Sequence, residues 1–433
     1  MRPMNIQKLV SLNLNVRGMS QSATLAIKDR CRALRAEGKE VFDFGLGQSP
    51  FPVPEPVVAG LREAAAQKDY LPVKGLPALR EAVASFHQRN DGVEAHPELL
   101  LVGPGSKELM FIVQLVYYGE IILPTPCWVS YLPQARIIGR RISMIHTTYE
   151  TQWKLTADRL KDALSRVNDD RRPRLLILNY PSNPTGVSYT QEELKALAEV
   201  LRRYEVIVLS DEIYGQLHFR GQHASIARYY PEGTIISSGL SKWCGAGGWR
   251  LGTFSFPPDL DWLCHAMASV ASETFTTVSA PIQHAAVHAF NGGPTIQSYL
   301  SKARRVLEAL ASYSVATLRR AGIAVHQPDG AFYLFPDFSP LADKLAARGI
   351  TDGRTLCTDL LERAGVATLP GAAFGRSRNC LAARLAFVDF DGAEALRAVQ
   401  GIPDEQPLSE SLLRQVCPRV MDGMDAIAAW AVS

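Results

Sequence analysis

The stretch SSGLSKWCGAGGWRLG, residues 237–252, holds one lysine, Lys242, and one arginine, Arg250, in an otherwise uncharged run. It closes one apolar run, TIISSG, and opens another, LGTFSF. Working outward, short apolar runs recur from about Pro56 to Ala286: LLLVGPG, EIILPTP, RLLILNYP, EVIVLSDE and these two, with amphipathic segments between them. Runs of that length separated by helices predict an α/β fold, a large domain with a mostly parallel sheet flanked by helices. Such sheets bind ligands outside the carboxyl ends of their strands. Polar clusters stand at those ends: GPGSKE, PCWVSY, NYPSNPTG, SDEIYG and SGLSK. Lys242 belongs to the last of them.

Beyond the large domain the pattern changes. SATLAIKDRCRALRAEG predicts a helix with Ser22 as N-cap and Gly38 as C-cap. VFDFGLGQSPFPVPEP reads as a strand followed by a Gly/Pro-rich loop. SKARRVLEALASYSVATLRRAG predicts a long helix leading into a second, smaller α+β domain, whose strands lie in IAVHQPDGAFYLFPDF and ARLAFVDF. Residues 399–420 read as a surface insertion before a last helix, DGMDAIAAWA. The expected division is 1–54, an N-terminal arm and part of the small domain; 55–300, the large domain; and 301–433, the C-terminal part of the small domain.

Composition excludes several classes of function. The 433 residues carry 46 basic and 43 acidic side chains, a net +3, with no block of five like charges. Neither nucleic acid nor a membrane surface is expected as partner. No run of 18 apolar residues predicts a membrane span, and the start lacks the apolar core of a signal peptide. Seven scattered cysteines, an odd number with no C-x-x-C pair, argue against a disulfide framework or metal knot and for a reducing cytoplasm. The histidines, His146 and His284 among them, belong to no motif with metal spacing, so no metal is expected. GAGG and GLGQS do not complete a dinucleotide-binding loop, and GPGSK lacks P-loop spacing.

The strand ends together suggest one chemistry. Lys242 follows one strand; Asp211 ends another, with Tyr214 three residues on; Asn183 lies in NYPSNPTG; Gly105 and Ser106 open a helix; Trp128 follows EIILPTPC; Arg250 and Arg384 stand at further strand starts. A pyridine ring bearing an aldehyde, a phenolate and a phosphate would use nearly all of them. A lysine amine condenses with the aldehyde. A carboxylate beside the ring nitrogen keeps it protonated, so the ring becomes an electron sink. A tyrosine hydroxyl and an asparagine amide stabilise the phenolate. Helix-start N–H groups and an arginine fork suit the phosphate, and an indole stacks on the ring. The implied cofactor is pyridoxal 5′-phosphate (PLP).

From about Val16 to Asp389 the chain resembles the fold-type-I PLP enzymes of the aspartate aminotransferase family. SKWCGAGGWRLG is similar to the family's S-K-x(5)-G-x-R-x-G, SDEIYG to D-E-x-Y, and NYPSNPTG to N-x-P-x-N-P-T-G. The resemblance implies Lys242 as the lysine that holds the cofactor, Arg250 on the phosphate, Asp211 on the pyridine nitrogen, and Tyr214 and Asn183 on the phenolate. It implies Trp128 as the stacking ring and the turn at Gly105, Ser106 and Lys107 on the phosphate. DYLPVKGLPALREAV is similar to Y-x-x-x-x-G-x-x-x-L-R. Its tyrosine, Tyr70, would reach the cofactor of a neighbouring subunit, which implies a homodimer with active sites at the interface. LPGAAFG followed by ARLAF implies that Arg384 grips the substrate α-carboxylate, and Gly47 falls in the loop that closes over the substrate. The implied activity is ping-pong transfer of an amino group between an L-amino acid and a 2-oxo acid.

Two departures stand out. Gly239 occupies the place, three residues before the lysine, where the family often has Ser or Thr on the phosphate; Ser238 or Ser241 could substitute. GEIILP is one residue shorter than the usual turn. Lysine at Lys107 resembles enzymes that bind a distal carboxylate, which points to an acidic partner such as glutamate/2-oxoglutarate or aspartate. Asn15, near where prephenate users carry an arginine, argues against prephenate. Phe51 and Phe275 are candidate pocket-lining rings for an aromatic or sulfur amino acid. The alternatives on the same scaffold are elimination, hydroxylation or cyclisation of an amino acid. A PLP-binding transcription regulator would need a DNA-binding segment, for which the short start leaves no room.

Overall fold

The computed structural model describes residues 12–19, 23–166 and 172–433. Its strands, in chain order, are β1 (Phe42–Asp43), β2 (Leu100–Gly103), β3 (Glu120–Thr125), β4 (Ile142–His146), β5 (Arg174–Asn179), β6 (Ile207–Asp211), β7 (Thr234–Gly239), β8 (Gly252–Ser255), β9 (Tyr333–Leu334), β10 (Val366–Ala367), β11 (Leu369–Pro370) and β12 (Ala383–Ala386). Seven form one sheet in the order β2-β8-β7-β6-β5-β3-β4. Every pairing in it is parallel except those of β8, which runs antiparallel to both β2 and β7. The α/β expectation holds.

The apolar runs predicted the inner strands because these are buried on both faces. Leu175 and Ile177 of β5 enter one core, with Leu209 of β6 and the helix Ser106–Val116. Leu176 and Leu178 enter the other, with Val208. That second face is covered by the helix Gln191–Arg203, which buries Leu194, Leu197, Ala198 and Leu201 at helical spacing. A reciprocal Thr190–Glu193 capping box starts it and satisfies two otherwise orphaned donors. Edge strand β4 was not predicted: only Ile145 of its five residues is buried, so it offers no apolar run.

The terminal segments meet outside this sheet. β1 pairs with β10, Phe42 opposite Val366, and β9, β12 and β11 form an antiparallel three-stranded sheet. The long helix runs Pro294–Arg320 and packs against the last helix, Pro418–Val432. The 399–420 segment is only partly the expected surface insertion. Residues 400–407 are exposed or half-buried, held by Arg305, which donates to the carbonyls of Ile402, Pro403 and Gln406. Then a helix, Glu410–Val416, buries Leu413 and Val416, and the last helix starts earlier than predicted, at Pro418. Gly38, at φ +79°, follows the helix Ala23–Ala36 as a C-cap glycine should; Ser22 lies outside the described residues.

Candidate active site

Parallel register brings the predicted residues together. Asn179, Asp211 and Ser237 stand side by side at the carboxyl ends of β5, β6 and β7. Beyond them opens a cavity of about 550 Å³. Gly47, Ser106, Lys107, Trp128, Asn183, Asp211, Tyr214, Lys242 and Arg250 line it, from several separate loops and strand ends.

Lys242 donates to the carbonyl of Gly47 at 2.8 Å. Burial brings its pKa down to about 8, helped by the positive charges of Arg384, Arg250 and Lys107 and opposed by Asp211. A neutral amine is therefore accessible near physiological pH, as attack on a carbonyl requires. Asp211 is buried; Tyr131 donates to its Oδ2 at 2.5 Å, while Oδ1 has no partner. Burial pushes its carboxyl up to about 6, against the hydrogen bond from Tyr131 and the charge of Lys242.

A second cluster collects positive potential. Gly105, at φ +90°, turns the chain into the helix starting at Ser106. A side chain at Gly105 would strike the Arg250 guanidinium, and one at Gly252 would strike the Ser106 N–H. These glycines let an arginine and a helix start share one corner, a cradle for a phosphate. Arg250 is held by the carbonyls of Gly247 and Pro104, at 2.9 and 3.3 Å. Lys107 lies 5.0 Å from the Trp128 ring centre, and burial and Arg250 lower its pKa. Glycine at 239 has a steric reason: a Cβ there would lie 2.7 Å from the Leu251 carbonyl. Of the two candidate substitutes, Ser241 lines the cavity.

Three predicted site residues stand off the cavity wall: Gly105, behind Arg250, and Arg384 and Tyr70. Arg384 is buried behind Asn183, donating to its Oδ1 at 3.2 Å and to the Gly45 carbonyl; its Nε has no partner. Tyr70 is 88% exposed. Asn15 donates to the Ile137 carbonyl, at the end of a helix. Phe51 does not line the cavity; it is core, packed edge-on against Tyr299 and Phe390. Phe275 does not line the cavity either; it packs, partly buried, against the core that contains Leu263 and Met267. Sequence reasoning missed Tyr131 and Tyr333. Tyr131 lies three residues past Trp128, a spacing that could have flagged it.

One further group of ionisable side chains is buried nearby in sequence. Glu212 accepts from Ser210, Ser225 and His223, and Asp91 pairs with His87 at 2.7 Å. Asp91, Glu212 and His223 come within 4.8 Å of one another. Each carboxylate is already matched by an imidazole, which reads as a structural ion-pair network.

The residues present fit PLP: an acceptor, Asp211 Oδ1, buried without a donor; an amine of lowered pKa; a cationic helix-start corner; and an indole, Trp128, on the cavity wall. A mostly parallel seven-stranded sheet with this set beyond its carboxyl edge defines a fold-type-I PLP-dependent enzyme. Residues 39–389 match the family model for aminotransferase class I and II. The aspartate aminotransferase of Geobacillus stearothermophilus is 34% identical over 380 residues, 86% of this chain and 93% of that protein. The aspartate/prephenate aminotransferase of Cereibacter sphaeroides is 33% identical over 371 residues, 83% and 90% of the two chains. The aspartate aminotransferase of Thermus thermophilus, solved with maleate, superposes with a TM-score of 0.80 at 30% identity, covering 95% of this chain and 99% of that one. The chain belongs to the aminotransferase class I and II family and is a PLP-dependent transaminase acting on amino acids and 2-oxo acids.

Proposed function

We propose that the enzyme transfers amino groups with a dicarboxylic partner, glutamate/2-oxoglutarate or aspartate/oxaloacetate. The carrying observation is a pair of cations: among the described residues neither Arg384 nor Lys107 forms an ion pair. One suits an α-carboxylate and the other a distal one. The names of the relatives and the maleate in the Thermus structure support the same class. Asn15, bonded to Ile137 away from the cavity wall, does not favour prephenate.

When bound, PLP supplies an aldehyde that condenses with amines and a ring that takes up the electron pair left at Cα. In this reading Lys242 holds the cofactor, then, as a neutral amine, takes the substrate Cα proton and returns it on the cofactor side. Arg384 orients the α-carboxylate so that the Cα–H bond faces Lys242. Its unpartnered Nε gives it a donor to spare. Asp211 holds a proton on the ring nitrogen; Tyr214 and Asn183 stabilise the negative phenolate oxygen. Gly105, Ser106 and Arg250 hold the phosphate, with Lys107 beside them toward the distal carboxylate, and Trp128 covers the ring. Gly47, bonded to Lys242, belongs to the loop that closes over the substrate.

The exposure of Tyr70, away from its own cavity, supports a homodimer in which it completes the partner's site. The β1–β10 pairing supports a small domain built from residues 1–54 and 301–433 beside a large domain of 55–300. Seven free cysteines support a cytoplasmic location. Among the described residues no helix is long and apolar enough to cross a membrane.

The test is spectroscopic. PLP-loaded protein is mixed with single amino acids and its visible absorbance followed. Bleaching by aspartate or glutamate, restored by 2-oxoglutarate, is expected. Release of ammonia, or bleaching only by monocarboxylic amino acids, would overturn the reading.

A further inference from the structure

Tyr333 has no assigned part in the site, yet it touches three of its components. It lies in β9, paired with β12 so that Leu334 faces Leu385 and Tyr333 faces Ala386, two residues past Arg384. Its side chain is buried, 1% exposed. Its hydroxyl is 2.8 Å from the hydroxyl of Tyr214. The Arg384 guanidinium lies 4.9 Å from its ring centre. A Cβ on Gly47 would collide with its hydroxyl, so glycine there lets the loop pass over it.

Each hydroxyl has a single hydrogen. Under the assignment above, Tyr214 spends its hydrogen on the negatively charged phenolate oxygen. The 2.8 Å contact can then be made only with the hydrogen of Tyr333, which must donate to Tyr214. A hydroxyl that accepts a hydrogen bond is polarised into a stronger donor, and in a buried site the effect is not screened by water. We propose that Tyr333 is a positioning residue that fixes Tyr214 as a donor to the cofactor oxygen and thereby makes the bound cofactor more acidic. This rests on the reading of Tyr214 as the phenolate partner.

The other charged groups around this pair are Lys242, 5.5 Å from the Tyr214 ring centre, Arg384 and Asp211. Phenylalanine at 333 leaves all of them in place. It also keeps the ring contacts to Phe332 and Tyr214, at 4.9 and 5.6 Å, which would suffice if Tyr333 were only a packed aromatic.

The experiment is a pH titration of the visible absorbance of the holoenzyme, in the wild type, Tyr214→Phe, Tyr333→Phe and the double variant. Removing the direct donor in Tyr214→Phe should raise the cofactor's pKa by about one to two units. Tyr333→Phe should raise it in the same direction by about 0.2–0.5 unit. The double variant should match Tyr214→Phe, because the Tyr333 effect has no other route. An unshifted Tyr333→Phe beside a shifted Tyr214→Phe overturns the inference and leaves the site assignment standing. A Tyr333 shift that persists in the Tyr214→Phe background also overturns it, since the effect then bypasses Tyr214. An unshifted Tyr214→Phe removes both.

Discussion

Asp211 and Glu212 are neighbours in sequence, both buried, at the end of the same strand, and they belong to opposite kinds of site. Glu212 is closed: two serines and His223 saturate its carboxylate. Asp211 is open: Tyr131 holds one oxygen and the other waits without a donor. Burial and hydrogen bonds therefore act with different outcomes. Burial raises Glu212, but His223 and the serines outweigh it and leave its carboxyl below the ordinary value. Asp211 is left above, at about 6. A saturated buried charge is architecture, and a buried charge lacking a partner marks the place where a ligand must bring one.

Replacing Lys242 breaks the open site most completely. Lys242→Ala should lower kcat by roughly 10⁴-fold, since under the proposed assignment it removes both the cofactor attachment and the proton carrier. Thermal unfolding of the cofactor-free protein should not reveal a comparable loss, because the amine's one bond is to the Gly47 carbonyl.

The adjacent pair tests the comparison by sign. Glu212→Gln should destabilise the fold by about 3–5 kcal/mol in urea unfolding, by stranding a buried His223. Asp211→Asn should stabilise the cofactor-free protein at pH 7–8 by about 1–3 kcal/mol, because a carboxyl raised from 3.8 to about 6 opposes folding once ionised. If Asp211 faces the ring nitrogen as proposed, the same variant should lower kcat by roughly 10²-fold, because that charge is lost. If both variants destabilise the cofactor-free protein, the contrast between the two sites fails.

The pH dependence follows the same split. Glu212 is depressed, so its contribution is present above its unfolded pKa and is lost as the pH falls through the folded one. His223 is raised, because Glu212 outweighs burial; its contribution is full below about 6.5 and is lost as the pH rises through the folded value. Asp211 works the other way, eroding stability between about 4 and 6 in the cofactor-free protein. Urea midpoints of wild type and Glu212→Gln across pH 4–9 should differ most in the middle of that range and converge toward both ends.

The smallest effect expected is a sharpening of substrate choice. Lys107→Ala should raise KM for a dicarboxylic substrate by about 10–100-fold and leave a monocarboxylic one within a few-fold. Equal losses for both substrates would assign Lys107 to the phosphate alone.

Much of this was legible in the chain. Inner strands announced themselves because burial on both faces demands unbroken apolar runs, as in RLLILN. The motif around Lys242, with Asp211, Tyr214, Asn183 and Arg250, identified the cofactor because each group of PLP needs a different side chain at a strand end. Edge strand β4 was not legible, since one face meets water and its pattern breaks. Nor were Phe51 and Phe275 separable from pocket rings: an aromatic residue reads the same whether it packs inside or lines a cavity.

The sequence by itself determined the fold class and the cofactor, because backbone period and side-chain chemistry are local properties. Only the tertiary structure decided which charges are left open. Packing of the helix that begins at Tyr131 brought that residue's hydroxyl to Asp211, pairing of β9 with β12 carried Tyr333 to Tyr214, and packing set Arg384 against Asn183. Those relations join residues 80, 119 and 201 positions apart, and no local pattern encodes a hydrogen bond across such distances.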